Sequence, residues 1–87
     1  DVQFAGKQII RSGTSVAANY REASRARSKA DFISKIDICT QEADETLLWL
    51  EVINKGCKLD LEDIEPLKQE ANELISIFVT MSKNSKG

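Results

Sequence analysis

The sequence predicts an all-α protein that folds as an antiparallel up-and-down helical bundle. Apolar residues recur at spacings of three and four along three long segments, which is the period of one helix face. No segment alternates apolar and polar residues between turn signals, as a half-buried strand would. At 87 residues the chain is predicted to be a single domain, residues 1–87, close to the size at which one core becomes marginal. We therefore expect an oligomer, and a fourth helix, from before Asp1 or from a neighbour, would complete a more usual bundle.

The first helix is predicted over about residues 2–27. Its apolar side carries small residues and Tyr20 where Leu and Ile would ordinarily stand. Gly6 and Gly13 each cost about 1 kcal/mol relative to Ala in a helix interior. Either neighbouring helices pass close to these two glycines, or the helix breaks near residues 12–14. We favour a continuous or mildly kinked helix in which Gly13 is a helix-packing residue.

The second helix is predicted over residues 29–55. Ser28 stands at the N-cap position with Asp31 three residues later, a variant of the capping box. Near its C-terminal end this helix becomes apolar on more than one face, and such a helix is buried on more than one face. The chain is too short to cover both faces itself, so we predict an oligomer interface at Leu48, Trp49 and Val52.

The third helix is predicted over residues 63–82. Pro66 fits best in a first turn, where its missing N–H is not needed, so Asp63 is the expected N-cap. Residues 83–87 contain no large apolar side chain and are predicted to be disordered.

The composition argues against an enzyme. The chain has no histidine, which removes the commonest general base and transition-metal ligand. Helical di-iron sites need Glu-x-x-His pairs, so the acidic residues of the second helix are interpreted as a solvated face. Ser12, Thr14 and Ser15 have no base beside them in the sequence. We expect no catalytic residue, no cofactor, no metal and no small-molecule substrate.

The composition also predicts where the protein is found. No apolar stretch reaches the roughly 18 residues of a membrane span, and no leader-like segment opens the sequence. We expect a cytoplasmic protein without membrane contact, whose Cys39 and Cys57 are reduced thiols.

Charge is distributed unevenly along the chain, whose net charge is −2. Residues 1–35 contain seven Lys or Arg and three acidic residues, whereas residues 36–87 contain five and eleven. This asymmetry indicates one basic face and one acidic face. The basic residues fall along the first helix and just after it, where guanidinium forks would suit phosphate contacts with RNA or DNA. The candidate nucleic-acid-binding residues are Lys7, Arg11, Arg21, Arg25 and Arg27. Alternatively, these charges pair with acidic neighbours in the bundle or across a subunit interface, or only solubilise the protein.

Three segments carry a resemblance to a known family: IRSGTSVAANYREA (10–23), DFI-x-K (31–35) and EA-x-ET-x-x-WL (42–50). They resemble bacterial four-helix-bundle proteins encoded in intervening sequences of 23S ribosomal RNA genes. The resemblance implies an up-and-down bundle with an upstream helix, assembled as a ring-like homopentamer. It also assigns helix packing to Ser15 and Asn19.

The same resemblance bears on function. A related accessory protein of diversity-generating retroelements is a pentameric barrel that works with a reverse transcriptase and RNA. By this resemblance Arg11, Arg21 and Arg25 are expected RNA contacts. The leading hypothesis is a non-enzymatic scaffold bound to structured RNA or a ribonucleoprotein. The competing hypothesis is a protein-interaction module whose acidic helices dock a basic partner, such as a nucleic-acid enzyme.

Overall fold

Three α-helices follow one another in the computed structural model: α1 (Val2–Ser24), α2 (Lys29–Gly56) and α3 (Leu61–Lys86). The structure describes residues 2–56 and 61–87, and within these residues it contains no strand. The all-α prediction with three helices is therefore confirmed. Cys57 lies outside the described residues, and so does the side chain of Asp63, the predicted cap of the third helix.

The central helix α2 packs against α1 on one side and against α3 on the other. Within the described residues, the backbones of α1 and α3 do not approach each other closely. The backbone accordingly spans 45 × 20 × 13 Å, the proportions of an elongated, flat layer of three helices. Both neighbours of α2 run antiparallel to it, so the end of α1, the start of α2 and the end of α3 lie together.

Two apolar clusters hold the layer together. The first surrounds Ile36 and Cys39, whose side chains are fully buried between Ala23 of α1 and Phe78 of α3. The second lies toward the other end, where Leu50 and Ile53 of α2 meet further apolar side chains from both neighbours; the remaining members are Ala5 and Ile64. Each cluster draws on all three helices, so each one holds both outer helices against α2.

A polar contact lies on α1 between the two clusters. Ser12 is fully buried, and its Oγ lies 2.6 Å from Oγ1 of Thr46 on α2 and 3.3 Å from the carbonyl oxygen of Ile9. Thr46 in turn donates to the carbonyl oxygen of Glu42 at 3.0 Å. Because these hydroxyls have partners, their burial carries little desolvation penalty, and their pairing sets the register of α1 against α2.

The helix α1 is continuous through Gly13 and ends at Ser24, three residues before the predicted end. Its last turn is closed by short-range bonds, from the N–H of Arg25 to the carbonyl of Glu22 and from Ala26 to Ala23, both 3.1 Å. Residues 25–28 then reverse the direction of the chain between α1 and α2. Ser28 caps α2 as predicted, its Oγ accepting from the N–H of Asp31 at 3.0 Å.

The boundaries of α3 also differ from the prediction, since it begins at Leu61 and Pro66 lies in its second turn. The predicted disorder of residues 83–87 is wrong, because α3 continues to Lys86. Ser82 is buried and donates to Oδ1 of Asp37 at 2.7 Å, and Nζ of Lys86 lies 3.7 Å from Oδ2 of the same carboxylate. A single carboxylate on α2 thus fixes the last turn, a contact that local composition does not reveal.

We predict that Asp37→Ala frays the last turn of α3 and lowers the free energy of unfolding by about 1 kcal/mol, because Ser82 loses its acceptor. Amide hydrogen exchange of residues 82–86 should accelerate while exchange in the middle of α2 changes little. The control is Asp44→Ala, which removes an exposed carboxylate from the same helix. Unchanged exchange in Asp37→Ala would show that helix propensity alone maintains the turn.

Candidate nucleic-acid interface

Arg11 occupies a different position from the other predicted nucleic-acid contacts, because it is engaged by acids of α2. Its Nη1 lies 3.2 Å from Oε2 of Glu42, and its Nη2 pairs with Oε1 of Glu45. Its Nε donates to Oε1 of Gln8 at 3.3 Å. The guanidinium therefore clamps α1 to α2, which is the alternative that the sequence left open for these charges.

The pKa values of this clamp show how closely its charges are coupled. The hydrogen bond from Arg11, reinforced by its positive charge, holds the pKa of Glu45 below its ordinary value. In return, the hydrogen bond to Glu45 and the charges of both carboxylates raise the pKa of Arg11. A phosphate would have to displace two carboxylates to reach this guanidinium, so we remove Arg11 from the candidate interface.

The remaining predicted contacts are exposed and form no ion pair with another described residue: Lys7, Arg21, Arg25 and Arg27. Arg21 and Arg25 are one helical turn apart, about 6 Å along the helix axis. Arg27 follows in the connection to α2. Lys7 is isolated from them by 14 residues, about 21 Å of helix. The structure therefore groups three of the four at one end of the layer.

The antiparallel packing adds basic residues that the sequence analysis did not include. Residues 17–39 and 76–87 together form one end of the layer, which we call the basic end, and hold seven Lys or Arg and three acidic residues. Two of these acids are paired, Glu22 with Lys35 at 3.3 Å and Asp37 with Lys86 at 3.7 Å. Lys29 and Lys83 are exposed and have no such partner among the described residues. Lys29 follows Arg27 by two residues and lies beside the basic stripe in the sequence too, whereas Lys83 was missed because it lies far from α1 in the sequence.

The opposite end has the reverse charge balance. Residues 2–16, 40–56 and 64–75 contain four Lys or Arg and seven acidic residues. The expectation of a basic face and an acidic face is thus corrected. Charge is divided between the two ends of the layer, because helices from both halves of the sequence contribute to each end.

The predicted oligomer interface is only partly free. Leu48 and Val52 are 53% and 43% exposed on the side of α2 that neither neighbour covers. Trp49 is instead partly buried against the second apolar cluster, and its ring meets that of Phe4 edge-on, with centroids 5.4 Å apart. Trp49 therefore stabilises the protomer itself, whereas the interface role of Leu48 and Val52 stays a prediction.

The predicted packing residues of α1 have unequal roles. The close helix contacts expected at Gly6 and Gly13 are wrong within this chain, since a Cβ placed at either residue would meet nothing within 4 Å. Asn19 donates to the carbonyl oxygen and Oγ of Ser15, at 2.9 and 3.2 Å, so these two residues form a contact along α1 itself. Tyr20 reaches across to α3, with its ring centroid 6.0 Å from that of Phe78.

An apolar groove separates α1 from α3 on one face of the layer. Near Tyr20 it has a volume of about 360 Å³ and is lined by residues of both outer helices: Val16, Ala17, Tyr20, Leu74, Ile77 and Phe78. It continues past Leu74 to Leu67 and Ile9. Gly13 is exposed on the same helix, so the open space beside it belongs to a face that this chain leaves uncovered.

Cys39 has a structural role, and the described residues provide neither a metal site nor a membrane-spanning helix. Burial raises the pKa of the Cys39 thiol, which donates to the carbonyl oxygen of Val16 at 3.6 Å, so this cysteine is a core residue. Within residues 2–56 and 61–87, no group of His, Cys, Asp and Glu is arranged to hold a metal ion. No helix in that part of the chain has the length and apolar character needed to cross a membrane.

Comparison with known proteins identifies the family. The family model for the 23S rRNA-intervening sequence protein matches residues 3–80. The fold is similar to the crystal structure of a protein with unknown function from the S23 ribosomal protein family of Bacteroides thetaiotaomicron. The TM-score is 0.87 and the identity 40%, and the match covers 91% of this chain and 73% of that chain. No curated protein matches the sequence.

We predict that Arg11→Gln raises the pKa of Glu45 toward its ordinary value, because the hydrogen bond and the positive charge that lower it are both lost. Since the folded-state pKa of Glu45 is lowered, its pairing stabilises the fold above the unfolded pKa and ceases to do so as the pH falls through the folded one. NMR titration of the Glu45 carboxyl measures the shift. Lys7→Gln removes a charge from the same helix and should leave the titration unchanged. An unaltered Glu45 titration in Arg11→Gln would contradict the clamp.

Proposed function

Because the chain belongs to the 23S rRNA-intervening sequence protein family, we propose that it is a non-enzymatic, oligomeric scaffold that associates with RNA or a ribonucleoprotein. The observation that carries this proposal is the group of unpaired guanidinium side chains where α1 ends, at Arg21, Arg25 and Arg27. Free arginines at an exposed end are available to phosphate without first breaking an internal ion pair.

Electrostatics supports RNA contact at this end despite the negative net charge. The acidic residues of α2 and α3 lie mainly toward the opposite end; Glu42 is separated from Lys29 by about 20 Å of helix and Glu73 from Lys83 by about 15 Å. At physiological ionic strength the Debye length is about 8 Å, so those acids are largely screened from a phosphate at the basic end. Local charge, and not net charge, then determines association with a polyanion.

The oligomeric part of the proposal is supported by apolar surface that the protomer leaves exposed. Leu48 and Val52 lie side by side on the free side of α2, one helical turn apart. A second copy that covered them would remove apolar area from water in a chain whose own core is small. The homopentamer is the stoichiometry that the family resemblance implies.

A specific feature also favours the competing function, a module that docks a basic partner protein. A shallow depression beside α3 is lined by three carboxylates, Glu51, Glu65 and Glu73, and by Lys68, whose Nζ lies 3.6 Å from Oε1 of Glu65, so that Glu51 and Glu73 are left without an internal ion pair among the described residues. Basic side chains of a partner could pair with this rim. The depression borders the basic end at Ser76 and Ile77, but its three carboxylates lie outside that end, so charge reversal can test the two surfaces separately.

We predict that Arg21→Glu combined with Arg25→Glu abolishes binding to a structured ribosomal RNA fragment at near-physiological salt, because two phosphate contacts become repulsive. Fluorescence titration of the full chain measures the affinity. The control, Lys55→Glu combined with Lys68→Glu, produces the same change in net charge at the opposite end and should retain binding. Equal loss in both variants would indicate a net-charge effect. Absence of binding by the unaltered protein, together with co-purification of a basic protein, would favour the competing function.

We predict that Leu48→Asp combined with Val52→Asp dissociates the oligomer without unfolding the protomer, because both side chains are exposed in the single chain. Sedimentation velocity measures the assembly state and circular dichroism the helix content. Ile77→Asp, at an equally exposed position on α3, is the matched control. If Ile77→Asp dissociates the oligomer and the Leu48→Asp/Val52→Asp variant does not, the interface lies along the groove between α1 and α3.

A further inference from the structure

We propose that the basic end binds the phosphate backbone of double-stranded RNA through cations from all three helices: Arg21, Arg25, Arg27, Lys29 and Lys83. This inference rests on the proposed function and specifies both the site and the form of RNA. It replaces the stripe along α1 that the sequence predicts.

The first step is the assembly of the site by tertiary contacts. The ion pair between Glu22 and Lys35 joins the end of α1 to the first turns of α2. Asp37 then joins α2 to the last turn of α3 through Ser82 and Lys86. These contacts hold Lys29 and Lys83 at the same end as the arginines, although 54 residues separate the two lysines in the sequence.

The second step is the charge that remains after internal pairing. Of the three acids at this end, Glu22 and Asp37 are neutralised by Lys35 and Lys86, and Asp31 is left. The five proposed contacts form no ion pair with another described residue. The positive pole of the α2 dipole lies at this end beside the negative poles of α1 and α3, so the free side-chain cations, and not the helix dipoles, supply the positive potential. The excess of free cations therefore favours a polyanion.

The third step is the choice of duplex over single strand. Single-strand sites combine a basic groove with aromatic side chains on which bases stack. Here Tyr20 is half exposed, with its ring directed across the groove toward Phe78, and Phe32 packs against the first apolar cluster, so this end offers one exposed ring at most and no row of aromatic side chains. The cations instead lie on three helix ends across a layer 20 Å wide. Duplex RNA is recognised mainly by shape, through phosphate and 2′-OH contacts, and such a site can supply the phosphate contacts without any base readout.

The decisive variant lies outside α1. Lys29→Gln combined with Lys83→Gln removes one cation from α2 and one from α3 and leaves every arginine in place. Its matched control, Lys55→Gln combined with Lys68→Gln, removes the same charge at the opposite end. The full chain of each is titrated with an RNA duplex and with single-stranded RNA of the same length, over a series of salt concentrations. Circular dichroism verifies that each variant is folded.

We expect the unaltered protein to bind the duplex more tightly than the single strand. The slope of log K against log salt is negative for a protein that binds phosphates through cations. In Lys29→Gln/Lys83→Gln, the slope for the duplex should become less steep by about two, one for each lost phosphate contact. The control should keep the slope of the unaltered protein.

Two results would overturn this inference and leave the proposed function intact. An unchanged slope in Lys29→Gln/Lys83→Gln, with binding still lost in Arg21→Glu/Arg25→Glu, would confine the site to α1. Single-strand affinity equal to or above duplex affinity would refute the duplex assignment. Failure of the unaltered protein to bind either RNA would overturn the inference and the proposed function together.

Discussion

The structure depends on the burial of α2 on two sides. Ile36 and Cys39 are fully buried, and Leu50 and Ile53 nearly so, because α1 covers one flank of the helix and α3 the other. On α1 the contact residues are small: Ala5, Ser12 and Ala23. Small side chains let the two backbones approach, and the contact between the buried hydroxyl of Ser12 and the half-buried hydroxyl of Thr46 then fixes where along the interface they meet. Among the described residues, α2 is the main packing partner of both α1 and α3.

This arrangement explains both the flat shape and the exposed apolar surface. With α1 and α3 on opposite flanks of α2, their apolar sides border an open groove where a fourth helix of a bundle would ordinarily lie. The same geometry leaves Leu48 and Val52 on the free side of α2. The protomer therefore exposes apolar residues on both broad faces of the layer, which is unusual for a small monomeric protein and typical of a component of an assembly.

The separation of charge follows from the same packing. An antiparallel layer brings the first turns of α2 beside the last turns of α1 and α3, so basic residues distant in the sequence share one end. The acids of α2 nearest α1 have a different role, since Glu42 and Glu45 hold Arg11. Arginines that look equivalent along a sequence thus divide into one structural clamp and a group free to bind phosphate.

The sequence by itself determined the number of helices and the cap at Ser28, because helix periodicity and capping are local properties, and it predicted no strand, in agreement with residues 2–56 and 61–87. The family was indicated separately, by the resemblance of residues 10–23, 31–35 and 42–50. It also indicated the exposed residues Leu48 and Val52, since one helix that is apolar on two faces exceeds what a short chain can cover. Only the tertiary structure decided the roles of Arg11, Gly13 and Trp49 and the order of the last turn of α3. Each of these four features depends on whether a side chain of another helix lies beside it. That in turn depends on how α1 and α3 pack against the two sides of α2. The placement of Lys83 beside the arginines has the same cause, since the antiparallel packing of the helices determines which distant charges become neighbours.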